Sequence, residues 1–342
     1  MRLGKPVNTF APLIIKNKKT TSMKAAVYTQ YGLPEVLQLK EVSKPVPKDN
    51  EILIKIKATA VNTGDCRLRK ADPFAVRFFF GLTKPKINIL GGVFSGEIEA
   101  VGKDVKRFKA GNQVFGSTDM KFGAYAEYKC LPENGTVALK PESLTYTEAA
   151  VIPFGGTTAL HFIKKANIKR GQKVLINGAS GAVGSAAVHV AKYFGANVTG
   201  VCSTANIELV KALGADNVID YTKEDFTENS ETYDVIFDTV DKISFSRSLH
   251  SLHKKGMLIL GASGMSGMLQ ALWTSMTSSK KVVTGVISQT AEDINFLRKL
   301  IETKKMKPVI DRTYSLAQIA EAHTYVDKGH KKGNVAIEII NN

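Results

Sequence analysis

The chain has 342 residues, 44% hydrophobic and 23% charged, the balance of a soluble globular protein and a length that suits two domains better than one core. Its three cysteines, Cys66, Cys130 and Cys202, lie far apart, which excludes a disulfide framework and a four-cysteine metal lobe and fits a reducing cytoplasm. No apolar run of about eighteen residues occurs, so no membrane span is expected. The formal charge of +16 comes from Lys and Arg spread along the whole chain, which reads as solvated surface and attraction for small anions, with no nucleic-acid partner.

Residues 1–22 carry Arg2, Lys5, Lys16, Lys18 and Lys19 with no acid. They read as a basic leader that fits a transit peptide, a stretch after an upstream start codon or a disordered arm alike, with Met23 as the working start. Lys24 to Thr29 alternates into a strand, Tyr31 to Pro34 turns, and Val36 to Val42 is a second strand. Glu51 to Val61 alternates again with Ile52, Ile54 and Ile56 on one face. Val93 to Val101 and Gly123 to Cys130 continue the pattern, so residues 23–150 are expected to form an antiparallel, partly closed β domain.

The stretch from Lys173 to Thr204 changes the period. Val174 to Ile176 is a short apolar run, Asn177 opens a segment with Gly178, Gly181 and Gly184, and a breaker-free helix runs from Ala182 to about Phe194. Val198 to Cys202 is a second apolar run, so the unit is strand, helix, strand in about thirty residues, the length of a parallel crossover. Glycine at these places lets backbone N–H groups at a helix start reach a pyrophosphate, to which the helix N-terminus adds partial positive charge. Gly178, Ala179, Ser180, Gly181, Ala182, Val183 and Gly184 are therefore expected to bind a dinucleotide.

The end of the second strand chooses the dinucleotide, because an acid there normally holds the ribose hydroxyls of NAD. Here it reads Gly200, Val201, Cys202, Ser203, Thr204. No acid opposes a 2′-phosphate, so Ser203, Thr204 and the nearby cation Lys211 favour NADPH over NADH. The same Ser and Thr would also suit the cap of the next helix.

Further on, Ile207 to Leu213 and Phe245 to His253 read as helices. Val218 to Asp220, Tyr233 to Asp238, Met257 to Leu260 and Val282 to Ile287 read as strands. This alternation makes residues 151–290 a doubly wound parallel-sheet domain. The tail, 291–342, holds helices from Glu292 to Lys304 and Leu316 to Val326. Its terminal strand, Val335 to Ile340, has no parallel-sheet partner pattern and is expected to rejoin the first domain.

KAAVYTQYG from Lys24, AVNTGD at Ala60 to Asp65, GxxSGxxxxVG from Gly92 to Gly102, GGTTA at Gly155 to Ala159, NGASGAVG at Asn177 to Gly184 and LGAD at Leu213 to Asp216 together resemble the medium-chain dehydrogenase/reductase superfamily. Within it they resemble the zinc-free quinone oxidoreductase branch. The resemblance covers Met23 to the end and implies an α/β protein: a GroES-like antiparallel β-rich catalytic domain, completed by the tail, plus a Rossmann nucleotide-binding domain. It implies Asn62 as a hydrogen-bond donor at the substrate oxygen, Asp65 as the anchor of that loop, and Arg69 orienting substrate or cofactor. It also implies Thr158, with Gly156, at the nicotinamide end, and Gly333 and Asn334 in the segment returning across the cofactor. Many members carry a tyrosine shortly after the Asp matched by Asp65, and here Arg67 stands nearby instead, so protonation from solvent is expected. Zinc-dependent relatives place a Cys and a His-Glu pair where this chain has Thr63, Gly64, Asp65 and Gly92, Val93, so no zinc is expected.

Gly261, Ala262 and Ser263 follow a strand's C-terminal end, where open parallel sheets bind ligands, and are expected against the nicotinamide. Phe74, Phe78 and Phe79, with Met265, Met268 and Trp273, would shape a pocket for a small, planar, hydrophobic substrate, or else serve core or subunit contact. The run Val282 to Ile287 would suit a homodimer boundary. The expected activity is hydride transfer from NADPH to a quinone or an α,β-unsaturated carbonyl. A zinc-free alcohol or aldehyde reductase and a non-catalytic NADPH-binding protein are the alternatives.

Overall fold

The computed structural model describes residues 22–261, 271, 274, 278–285 and 287–339. In the first lobe, β1 (Ser22–Val27) pairs antiparallel with β2 (Gln38–Ser43). The long strand β3 (Glu51–Val61) is the axis of the larger sheet, and its alternation buries Ile52, Ile54 and Ile56 completely. After it come α1 (Thr63–Lys70), α2 (Val76–Phe80), β4 (Val93–Val101), β5 (Gln113–Ser117), β6 (Tyr128–Pro132), β7 (Val137–Leu139) and α3 (Tyr146–Ala150).

The second lobe opens with α4 (Ile152–Ala166) and is built on β8 (Lys173–Asn177), α5 (Ala182–Tyr193), β9 (Asn197–Cys202), α6 (Ile207–Ala212) and β10 (Asn217–Asp220). It continues through β11 (Tyr233–Asp238), α7 (Phe245–His250), β12 (Leu252–Leu260) and β13 (Lys281–Val283). The six strands are all parallel in the order β10-β9-β8-β11-β12-β13. Consecutive strands run outward from β8 in both directions, which leaves a crevice at the carboxyl ends of β8 and β11.

The tail comprises α8 (Ala291–Glu302), β14 (Ile310–Ser315), α9 (Ile319–Asp327) and β15 (Asn334–Glu338). Strand β15 joins the first lobe by pairing antiparallel with β3, and it also has a parallel partner, β14. That partner is invisible in the sequence because Asp311, Arg312 and Thr313 give the segment no apolar alternation. Helix α8 buries Ile294, Leu297, Leu300 and Ile301 in the core of the second lobe. The expected strand Val282 to Ile287 is shorter, since Gly285 takes a φ of +129° beyond β13. The expected helix from Phe245 stops at His250, and β12 starts at Leu252.

Two close backbone approaches hold the start of α5 in place. A Cβ on Gly184 would lie 2.1 Å from the Gly178 carbonyl oxygen, and one on Gly155 would lie 2.3 Å from that of Ala182. The first lets the helix sit directly on the β8 turn, and the second lets α4 pack against α5. Gly184→Ala is therefore expected to cost several kcal/mol, about 3 or more as overpacking against rigid backbone does at its worst. Urea unfolding should show a clear fall in midpoint, and an unchanged midpoint would contradict this packing.

Candidate active site

A cleft of about 650 Å³ runs over the carboxyl ends of the parallel strands and under the tail, within the usual size range of about 300–1,000 Å³ for cofactor sites. Gly178, Ser180, Gly181, Ala182 and Val183 form one wall. Gly178 takes a φ of +78°, and Gly181 caps α5 with extended backbone. A Cβ on Gly181 would meet nothing nearer than the Gly178 carbonyl oxygen at 3.4 Å. The backbone there faces open space, and the first N–H groups of α5 lack partners within the helix. Ala179 is fully buried and Gly184 packs on Gly178, so these two support the turn without facing the cleft.

The tail closes the other side. The Gly333 N–H donates to the Ser180 carbonyl at 2.7 Å, and Gly333 bridges Gly181 in parallel. Gly333 has a φ of +62°, and a Cβ there would lie 2.3 Å from the Val309 carbonyl oxygen. Lys331 lines the cleft, and its ammonium donates to the Gly333 carbonyl. Burial pushes this lysine down to about 8, against the pull of Asp311. Arg67, Lys242, Arg247, Lys328 and His330 also line the cleft, against the two acids Glu224 and Asp225.

At the end of β9 the cleft is lined by Ser203, Asn206 and Tyr221. The Asn206 amide donates to Ser203 Oγ at 3.1 Å, while its Oδ1 is buried without a partner. Thr204 is turned aside, donating to Asp220 at 2.6 Å, and Lys211 pairs with Glu208 on its own helix. Asn206 and Tyr221 are residues that sequence reasoning missed. Tyr221 directly follows β10, whose last residue Asp220 lies beside Cys202, so sheet order was the signal that could have found it.

Helix α1 presents Thr63 and Arg67 to the cleft, whose lining also includes Phe154 and Val326. Asn62, just before it, is 4% exposed and caps the helix, and its N–H donates to Asp65 Oδ2 at 3.0 Å. Asp65 also accepts from the Gly91 N–H at 3.2 Å. Burial pushes the Asp65 carboxyl up to about 6, against these hydrogen bonds. Behind it lies a buried polar chain: Tyr125 faces Asp65, its hydroxyl is 3.2 Å from His323 Nε2, and His323 Nδ1 is 3.4 Å from Cys66 Sγ. Burial pushes His323 down to about 3, so it is neutral. With the Tyr125 proton turned to the carboxylate, His323 carries its own proton on Nε2 and accepts at Nδ1.

Several expected site residues lie elsewhere. Arg69 is completely buried and pairs with Asp327, away from the cleft. Thr158 lies inside α4 with its hydroxyl on the Phe154 carbonyl at 2.7 Å, and Phe154 lines the cleft in its stead. Gly156 makes room for Leu297. The Gly261 N–H is held by the Asp238 carbonyl, and the Asn334 amide donates to the Val309 carbonyl. Phe74, Phe78 and Phe79 are exposed on and beside α2 and do not line the cleft. Ala262, Ser263, Met265, Met268 and Trp273 lie outside the described residues.

Comparison with known proteins agrees with this architecture. Residues 48–142 match the family described as alcohol dehydrogenase GroES-like domain, and residues 213–337 match that described as zinc-binding dehydrogenase. The chain is 33% identical over 332 residues to the 2-methylene-furan-3-one reductase of Solanum lycopersicum, covering 94% of this chain and 80% of that protein. It belongs to the medium-chain dehydrogenase/reductase superfamily. Among superfamily members it is 30% identical to an NADPH-dependent alkenal/one oxidoreductase of Arabidopsis thaliana, over 92% of this chain and 79% of the relative. The solved quinone oxidoreductase of Coxiella burnetii superposes with a TM-score of 0.85 at 29% identity, covering 94% of this chain and all of that one. Among the described residues of this superfamily member, no group of three His, Cys, Asp or Glu is placed to hold a metal ion.

The site makes two predictions. Asp65→Ala leaves two buried backbone N–H groups without an acceptor and is expected to cost about 2–4 kcal/mol in denaturant unfolding; a loss under 1 kcal/mol would contradict the anchoring role. Lys331 attracts a phosphate only while protonated, so coenzyme affinity is expected to fall as pH rises through about 8. In fluorescence titrations between pH 7 and 9, Lys331→Met should bind more weakly at pH 7 and show a flatter pH dependence than the parent.

Proposed function

We propose that the chain is a zinc-independent oxidoreductase that uses NADPH, with NADH second, to reduce a quinone or an α,β-unsaturated carbonyl. The observation that carries this reading is the cleft wall at Gly178–Val183, where open backbone at a helix N-terminus faces cations from both lobes. A dinucleotide fits that wall: its pyrophosphate suits the N–H groups of α5 and the Lys331 ammonium. The partnerless Asn206 Oδ1 is an acceptor for a ribose hydroxyl. When bound, the reduced nicotinamide supplies the hydride.

The chain's own residues then have three tasks. Ser203, Asn206 and Tyr221 orient the adenosine end, the glycine turn and tail hold the phosphates, and α1 offers the polar groups that meet the substrate. Thr63 and Arg67 line the cleft there, and a cation or hydroxyl beside a developing oxyanion stabilises it as charge moves from the attacked carbon to oxygen. Asn62 and Asp65 are proposed to fix the loop on which these two stand. Water is proposed as the proton source, since Arg67 stands near the place where the family resemblance implies a tyrosine.

The choice of acceptor rests on relatives and on the donor set. The tomato relative is named for an enone and the Arabidopsis relative for alkenals and enones, with NADPH as its reductant. Thr63, Gly64, Gly92 and Val93 offer no thiolate or imidazole to a metal where zinc-dependent relatives place theirs, which leaves acceptors already activated by conjugation.

NADPH oxidation measured against a panel of quinones, enones and saturated aldehydes tests this reading. Turnover with a conjugated acceptor, absent with its saturated analogue and reduced about tenfold or more in Arg67→Ala, is expected. Turnover confined to saturated carbonyls would favour an alcohol or aldehyde reductase. Binding without turnover on any acceptor would favour a non-catalytic role.

A further inference from the structure

The segment between α1 and β4 presents a row of apolar side chains to solvent. Phe74, Phe78, Phe79 and Leu82 are 61%, 67%, 79% and 57% exposed. The row is built and held outward. Phe74 and Phe78 meet edge to face at 6.1 Å, Arg77 lies over the rings of Tyr31 and Phe74, and the Tyr31 hydroxyl donates to the Gly81 carbonyl at 2.7 Å. Phe80 turns the other way, to Phe122. Large exposed aromatics in one cluster mark a surface that something covers.

Charge selects the occupant. From Pro73 to Gly96 the chain has no acid, only Asp72 preceding it, and Lys84 and Lys86 stand exposed beside the rings. The basic N-terminal segment, with Arg2, Lys5, Lys16, Lys18 and Lys19 and no acid, would be repelled from this face. A second copy docked through the same face would set its own lysines against these. An anionic lipid surface satisfies both halves of the pattern, taking the rings at the boundary between headgroups and acyl chains and the lysines at the phosphates. The net charge of +16 adds long-range attraction of the same sign. Crossing is not implied, since no described helix is long and apolar enough.

We propose that the segment from Phe74 to Lys86 docks the protein on the surface of an anionic lipid bilayer, with Phe78 and Phe79 inserted and Lys84 and Lys86 on headgroup phosphates. This does not depend on the oxidoreductase reading. The test uses the full chain carrying Phe79→Trp and vesicles of phosphatidylcholine, with or without phosphatidylglycerol, whose acyl chains are brominated. Vesicles containing phosphatidylglycerol should quench the fluorescence of Phe79→Trp beyond that of the parent, and pure phosphatidylcholine should not. In sedimentation, Phe78→Ser with Phe79→Ser should lower partitioning onto the anionic vesicles by about tenfold or more, with an unchanged unfolding midpoint.

Each of four results would overturn the proposal. The first is no vesicle binding; the second is binding with neither extra quenching at position 79 nor loss in the double variant, which would point to diffuse charge. The third is a dimer that the double variant dissociates in the absence of vesicle binding, which would identify a second copy as the occupant. The fourth is duplex DNA binding lost in that variant while vesicles remain unbound.

Discussion

The hydrogen bond from the Gly333 N–H to the Ser180 carbonyl, 2.7 Å long, is the contact on which the geometry of the site depends. It ties the returning tail to the glycine turn at the start of α5, so that the cleft has a wall from each lobe. The parallel bridge that accompanies this bond pairs two glycines, Gly333 and Gly181, whose backbones differ. At Gly333 the φ of +62° and the nearby Val309 carbonyl leave no room for a side chain. At Gly181 the backbone conformation would accept any residue, and what glycine provides there is open space for a ligand.

The loop before α1 is stabilised differently, by a buried polar chain that starts at Asp65. A carboxylate in an apolar interior is costly unless its oxygens are satisfied, and here the Asn62 and Gly91 N–H groups meet them. Tyr125, neutral His323 and Cys66 continue the chain into the tail helix α9. The loop before α1 is therefore braced by groups from β4's approach, from the β6 side and from the tail at once. In the proposed function Thr63 and Arg67 inherit that rigidity, which an electrostatic site needs if it is to favour a charge that exists only in the transition state.

Much of this was legible in the sequence where local chemistry dictates structure. The switch from period two to strand, glycine turn and helix located the parallel sheet, and the seven residues of that turn include five that line the cleft. The illegible parts depended on what lies next to what. Thr158 reads as a binding residue until α4 is seen to bury it, and Lys211 reads as an available cation until Glu208 is seen beside it. Asn206, Tyr221 and Lys331 reach the cleft through sheet order and the tail's return path. Strand β14 is held in the sheet by its neighbour β15, with no apolar alternation of its own to announce it.

In the proposed function the N-terminus of α5 at Gly181 receives the pyrophosphate of a nicotinamide dinucleotide. An equilibrium titration of NADPH into the parent and into Gly181→Asp tests it most directly. Aspartate is a good helix N-cap and the backbone at this position is extended, so folding should be kept or slightly improved while the added carboxylate occupies the anion's place. Saturable binding to the parent and its loss in the variant at an undiminished unfolding midpoint are expected. An absence of saturable binding to the parent, or equal affinity in both, would contradict it.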